Sequence, residues 1–182
     1  MPSNGRFREL SDAELIRRFL GGDEAAFRAL HDRHTPRLRM LLLRLLGSRR
    51  DEVDDVLQET WLAGCRGLHA FNGSARFSSW LTTIGIRAAY ARFPATNGTG
   101  PEGLDDIAAP PLPAAATVID LERALERLSD RQRAVVVLHD VEGFTHEEIA
   151  GKLAMNPGTS KVTLFRARQA LRRLLTDGAL HD

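Results

Sequence analysis

A single cysteine, Cys65, stands in 182 residues, so no disulfide can close within the chain. No Cys/His cluster has zinc spacing. His31 and His34 fall on one helical face, but no third ligand accompanies them, and neither a metal nor a cofactor is expected. Long apolar runs are missing too: no stretch approaches the roughly 20 apolar residues of a membrane helix. The opening residues, MPSNGRFREL, lack the apolar core of a signal sequence. No membrane insertion and a cytoplasmic location are therefore expected. No segment alternates apolar and polar residues as a half-buried strand does, which points to an all-α chain.

Net charge is also nearly absent, at +1, but only because blocks of opposite sign cancel. Residues 1–93 carry 15 basic and 11 acidic side chains, residues 94–117 carry three acids and no base, and residues 118–182 carry ten of each. The middle block, PATNGTGPEGLDDIAAPPLPAAAT, holds five of the eight prolines. Such a composition buries too little apolar surface to offset its ordering entropy and reads as a flexible linker. Three parts follow: a helical domain over 1–93, a linker over 94–117 and a second helical domain over 118–182. With 43% apolar residues, each domain has material for a core.

Helix signals are frequent. Ser11 with Glu14, Ser129 with Gln132 and Thr145 with Glu148 have the spacing of capping boxes. Gly21 and Gly22 end the first helix. From Asp23 to Leu46 the apolar residues keep a helical period, with Pro36 expected to kink or break the run. The leucines at 41–43, 45 and 46 mark it as a central strut for the next helix.

The stretch from Asp51 to Phe93 joins two opposite surfaces. Five carboxylates and no base occupy 51–59; residues 60–93 have no acid, and Arg66, Arg76, Arg87 and Arg92 alternate there with six of the chain's eleven aromatic residues. Arginines interleaved with rings suit a nucleic acid, whose phosphates seek the cations and whose bases stack on the rings. The acidic half then faces a different partner, most simply a protein. Some of these residues must also build the core: Val53, Val56, Leu57, Thr60, Trp61, Gly64 and Leu68 recur at helical spacing, as do Phe77, Trp80, Leu81, Ile84 and Ala88. Core packing is the first expectation for Trp61, Phe77 and Trp80.

The run DEVDDVLQETWL followed by GLHAFNGSARFSSWL resembles the second domain of the extracytoplasmic-function sigma factors of the sigma-70 family. That resemblance implies docking on core RNA polymerase through Asp54, Asp55, Leu57, Gln58 and Glu59. It also implies recognition and opening of the minus-ten promoter element through Asn72, Ser74, Arg76, Ser79, Trp80 and Arg87. Thr83, Ile86 and Arg87 depart from the Arg or Asn usual in the melting helix.

In the second domain, a short helix from Thr145 to Leu153, a tight turn at 154–156 and a long helix opened by Asn156-Pro157 have the spacing of a helix-turn-helix. Four helices are expected there. Residues 149–176 hold six bases (Lys152, Lys161, Arg166, Arg168, Arg172, Arg173) and no acid, against eight acids and four arginines over 118–148. A local excess of this kind suits a phosphate backbone. Leu164, Ala167, Leu171, Leu174 and Leu175 should pack inward, leaving Lys161, Val162, Phe165, Arg166 and Gln169 outward or at the edge. The run EEIAGKLAMNPGTSKVTLFRARQALRRL resembles the fourth domain of the same sigma family. It implies reading of the minus-thirty-five element by Thr159, Lys161, Val162, Phe165 and Arg166, with Ser160 standing where a buried Val is commoner.

Read together, these features describe a promoter-specificity subunit whose partners are core RNA polymerase and promoter DNA, with an anti-sigma protein as a candidate third. It is not expected to be an enzyme. A duplex-binding regulator that never melts DNA would leave 51–93 unexplained, and a metal-dependent enzyme using Asp51, Asp54, Asp55 and Glu59 lacks a second cluster of ligands.

Overall fold

The computed structural model describes Phe7, residues 9–93 and residues 118–178, with side chains from 120 to 176 in the second stretch. The expected linker over 94–117 lies outside these residues. Among the described residues every regular element is helical: α1 (Asp12–Leu20), α2 (Glu24–Leu46), α3 (Val53–Gly67), α4 (Phe77–Tyr90), α5 (Val118–Glu126), α6 (Asp130–Val136), α7 (His146–Leu153) and α8 (Pro157–Gly178). Short 3-10 turns occupy Arg50–Glu52 and Leu68–Ala70, and one π-helical turn occupies Val137–Val141. The chain divides into two compact units, Met1–Leu42 with Asp51–Ala88 and Leu43–Arg50 with Ala89–Asp182.

In the first unit α2 is the strut. It runs unbroken through Pro36, so the expected break does not occur. Asp23 opens it by accepting from the amides of Ala25 and Ala26 (3.0 and 3.4 Å). Trp61 of α3 lies against α2, donating from Nε1 to Thr35 Oγ1 at 3.0 Å and meeting Phe27 edge-on with ring centroids 5.7 Å apart. It is 6% exposed, as a core residue should be. Close to α2, α4 brings Gly85: a Cβ there would come within 2.9 Å of a Leu38 methyl, so any larger residue would force the buried Leu38 side chain to move. At the start of α1, Ser11 Oγ accepts from the Glu14 amide at 3.2 Å, but the Glu14 carboxylate pairs with Arg17 and Arg18. The expected box is half formed, because two charged partners one turn away outcompete a neutral amide.

The second unit is built on aliphatic residues: Leu125, Leu128, Val135, Val136, Val137, Leu138, Ile149, Leu153, Leu164 and Leu171 are all buried. Its largest fully buried side chain is nevertheless Arg133. The guanidinium donates to the carbonyls of Leu45 (2.9 Å), Leu46 (3.3 Å) and Leu128 (3.2 Å) and pairs with Asp130 at 2.5 Å. At the end of α2 the guanidinium thereby satisfies the Leu45 carbonyl and adds to the Arg49 amide on that of Leu46. Gly47 has φ +56°, and a Cβ on it would sit 2.7 Å from the Arg133 guanidinium, so both conformation and space call for glycine. The boxes at Ser129/Gln132 and Thr145/Glu148 form in full.

Candidate polymerase and nucleic-acid interfaces

On α3 the apolar positions Val53, Val56, Thr60, Trp61 and Gly64 face inward, and Asp54, Asp55, Gln58, Glu59 and Leu62 share the exposed face. Leu57 is half-buried at its edge. Asp54 and Asp55 sit in the first turn, where unpaired helix amides favour negative charge, and no side chain caps this helix start. Asp54 also pairs with Arg39. The sequence reading missed Leu62, which is 49% exposed one turn beyond Gln58 and Glu59. An apolar centre with acids on one side has the chemistry to meet a basic surface; the i, i+3/i+4, i+7 spacing from Asp55 is the signal for it in the sequence.

Beyond α3 the loop from Phe71 to Arg76 leads into α4. Asn72, Ser74, Arg76 and Ser79 are exposed, and Gly73 takes a φ of +73°. Asn72 Oδ1 accepts from the Ser74 amide at 3.0 Å, which shapes the loop and leaves the Asn72 amide N–H groups to face outward chemistry. Phe77 is 5% exposed and belongs to the core. Trp80 is half-buried, with its ring 5.2 Å from Phe71 and 5.7 Å from Phe77. Phe71 and Trp80 thus offer partly exposed ring edges beside the loop. At the far end of α4, Ile86 is buried (1%) and Arg87 exposed, so of that pair only the arginine can meet DNA.

In the second unit α7 and α8 form the expected helix-turn-helix. Thr145 Oγ1 accepts from the Glu148 amide (3.2 Å), and its own amide donates to Glu148 Oε2 (2.9 Å). The Thr145 amide, and then the Thr145 hydroxyl that donates to the same oxygen at 3.1 Å, hold the Glu148 carboxyl below its ordinary range. Ala154 closes α7 in the left-handed region (φ 50°), and Asn156 caps α8 by accepting from the Gly158 amide at 2.8 Å. On α8, Lys161 and Arg166 are exposed, and Thr159 and Phe165 are half-buried. Val162 corrects the sequence reading: it was expected to face outward or lie at the edge, and it is only 7% exposed. The start of α6 covers it. Ser129, Arg131 and Gln132 line a small cavity of about 160 Å³ with Thr159, Val162, Thr163 and Arg166. Ser160 is fully buried and spends its hydroxyl on His146 Nδ1 at 3.0 Å, which explains how a polar residue occupies an interior position. Lys152 holds its ammonium 4.6 Å from the centre of the Phe144 ring.

Among the described residues no group of three or more His, Cys, Asp or Glu side chains could hold a metal ion, and no helix is long and apolar enough to cross a membrane.

Known proteins supply an independent view of both surfaces. The family model for Sigma-70 region 2 matches residues 30–96, and that for Sigma-70, region 4 matches residues 119–171. The ECF RNA polymerase sigma factor SigM of Mycobacterium tuberculosis is 36% identical over 173 residues, 94% of this chain and 88% of that protein. The ECF RNA polymerase sigma-E factor of Escherichia coli K12 is 27% identical over 180 residues, 90% of this chain and 93% of that protein. Among solved structures, the sigma factor RpoE in complex with the anti-sigma factor NepR from Bartonella quintana shares the fold with a TM-score of 0.56 at 24% identity, covering 82% of this chain and 96% of that one. The chain belongs to the extracytoplasmic-function sigma factors of RNA polymerase, in the sigma-70 family.

Proposed function

We propose that this sigma factor docks on core RNA polymerase through the exposed face of α3, opens the minus-ten element with the loop at 72–76 and α4, and reads the minus-thirty-five element with α8. In this reading residues 1–93 and 118–182 are the two working domains, and 94–117 is the flexible tether. The observation that carries it is the pairing of two opposite surfaces with two family regions: the acidic, Leu62-centred face lies in the stretch matched by region 2, and the basic helix α8, which has no acid from Pro157 to Thr176, begins in the stretch matched by region 4. Asp54, Asp55, Leu57, Gln58 and Glu59 meet the polymerase. Asn72, Ser74, Arg76, Ser79, Trp80 and Arg87 meet the opened strand. Thr159, Lys161, Phe165 and Arg166 meet the upstream duplex, with Val162 supporting them from below. The chain performs no catalysis of its own and works in the cytoplasm beside the polymerase. Because a solved relative is held by an anti-sigma factor, a protein of that kind is the expected negative regulator. The test is reconstitution of purified core polymerase with the chain: a one-to-one complex that initiates at discrete promoters supports the reading, and a chain that binds duplex DNA but not polymerase makes it an ordinary repressor or activator.

A further inference from the structure

Where α7 meets α8, two histidines are stacked. The rings of His139, in the π-helical turn, and His146, the first residue of α7, lie 4.7 Å apart at 26°. His139 Nδ1 is 2.8 Å from Asp140 Oδ1. A carboxylate only accepts, so that nitrogen carries a proton. The same carboxylate is gripped by Arg168 of α8, through Nε (3.0 Å) and Nη2 (2.5 Å). Burial alone would raise the Asp140 carboxyl, but the hydrogen bonds from Arg168 and His139 prevail and hold it below its ordinary value. His146 turns its own Nδ1 to the buried Ser160 hydroxyl of α8.

The charged groups facing His146 are uneven. His139 approaches from the π turn, with the Asp140 carboxylate bound to it and to Arg168; Lys161 and Arg168 approach from α8, and Glu147 of α7 opposes them. Its place in the first turn of a helix adds the positive end of the dipole. Burial first, and then His139, Lys161 and Arg168, push the His146 imidazole below its ordinary value.

We propose that the His139–His146 stack is a proton-sensitive joint of the helix-turn-helix: with His146 neutral it ties α7 to α8, and a proton on His146 adds positive charge against the His139 ring and beside Lys161 and Arg168 and loosens the joint. The folded chain holds His146 neutral where the unfolded chain would protonate it near 6.5. The stability so contributed is complete above about pH 6.5 and is lost as pH falls from there toward the folded value. Resting on the reading of α8 as the upstream-element reader, the joint makes promoter choice acid-sensitive while leaving the α3 face untouched.

The test uses the full chain and no DNA. Histidine-ring NMR from pH 8 to 5 should show His146 titrating below about 6.5, the value of a free histidine, and His139→Gln should move it upward. Urea unfolding at pH 7.5 and 5.5 is followed by circular dichroism for all helices and by tryptophan fluorescence for the first unit, which holds Trp61 and Trp80. The parent should show a several-fold larger acid-induced rise in its circular-dichroism unfolding constant than His146→Gln, with matching fluorescence transitions. His146 titrating at or above about 6.5, or equal acid sensitivity in parent and variant, would overturn the joint. If His146→Gln does not fold, the titrations of the parent and of His139→Gln decide alone. Failure of the DNA reading would appear elsewhere, as unchanged promoter preference in Arg166→Ala with the His146 titration intact.

Discussion

Helices α3 and α8 solve opposite problems with the same architecture. Each buries one apolar stripe, yet α3 crowds its outer face with carboxylates around an exposed Leu62, whereas α8 carries no acid between Pro157 and Thr176 and exposes Lys161, Arg166, Arg172 and Arg173. Their supports differ as well. Behind α3 lies an aromatic core of Phe27, Trp61 and Phe77 that makes few polar demands. On α8 the buried Ser160 bonds His146 and Arg168 grips Asp140, so the basic helix is tied to the preceding elements by side-chain hydrogen bonds. In the roles proposed for them, the docking face sits on ring packing, and the reading helix is held by side-chain hydrogen bonds to its neighbours.

The largest effect should come from inverting the α3 face. Asp55→Lys with Glu59→Lys is expected to weaken core polymerase binding by several kcal/mol, because like charges meet across the interface. Competition against labelled parent protein for core polymerase measures it, and unchanged helical content by circular dichroism excludes unfolding.

Next comes the support of the second unit. Arg133→Met removes the guanidinium from the carbonyls of Leu45 and Leu128, leaves Asp130 with Arg49 alone, and should destabilise the protein by about 3 kcal/mol. Urea unfolding measures it; a loss under about 1 kcal/mol would show that water or a neighbour replaces the guanidinium.

On the recognition helix, Arg166→Ala should cost about 1 to 3 kcal/mol of discrimination at the bases it reads, whereas Lys161→Ala should weaken all duplexes about equally. Promoter ranking with a mixed-sequence template pool separates the two. The smallest effect is expected for Asn72→Ala with Arg76→Ala: open-complex formation slows several-fold, about 1 kcal/mol, because the flipped base loses hydrogen bonds but keeps its stacking surface. Permanganate reactivity of unpaired thymines follows it.

Much of this was legible in the sequence because the signals are local. A hydroxyl three residues before Gln or Glu predicts a cap at Ser129 and Thr145, and period 3.6 puts Trp61 inward. Where a signal depends on what lies across a gap, sequence alone fails. Val162 falls on the outer half of its own helix, yet it is buried beside the start of α6, where it lines one cavity with Ser129, Arg131 and Gln132. Ser11 has the spacing of a full box, but Arg17 and Arg18 claim Glu14. His139 and His146 are seven residues apart through a π turn and a loop, a path with no helical period to bring them together on paper. Leu62 shares the spacing of Asp55, Gln58 and Glu59, but helical period alone does not say that a leucine on that face stays exposed.

The division of labour between α3 and α8 is tested most directly by a crossover on one promoter pool. Core polymerase is supplied with parent, with Asp55→Lys/Glu59→Lys, or with Arg166→Ala at equal concentration, and the transcripts are sequenced. Transcription lost in the first variant, and retained with a broadened set of upstream elements in the second, is the predicted outcome. A charge-reversed protein that still directs transcription, or an Arg166→Ala protein that keeps the parental promoter set, would contradict it.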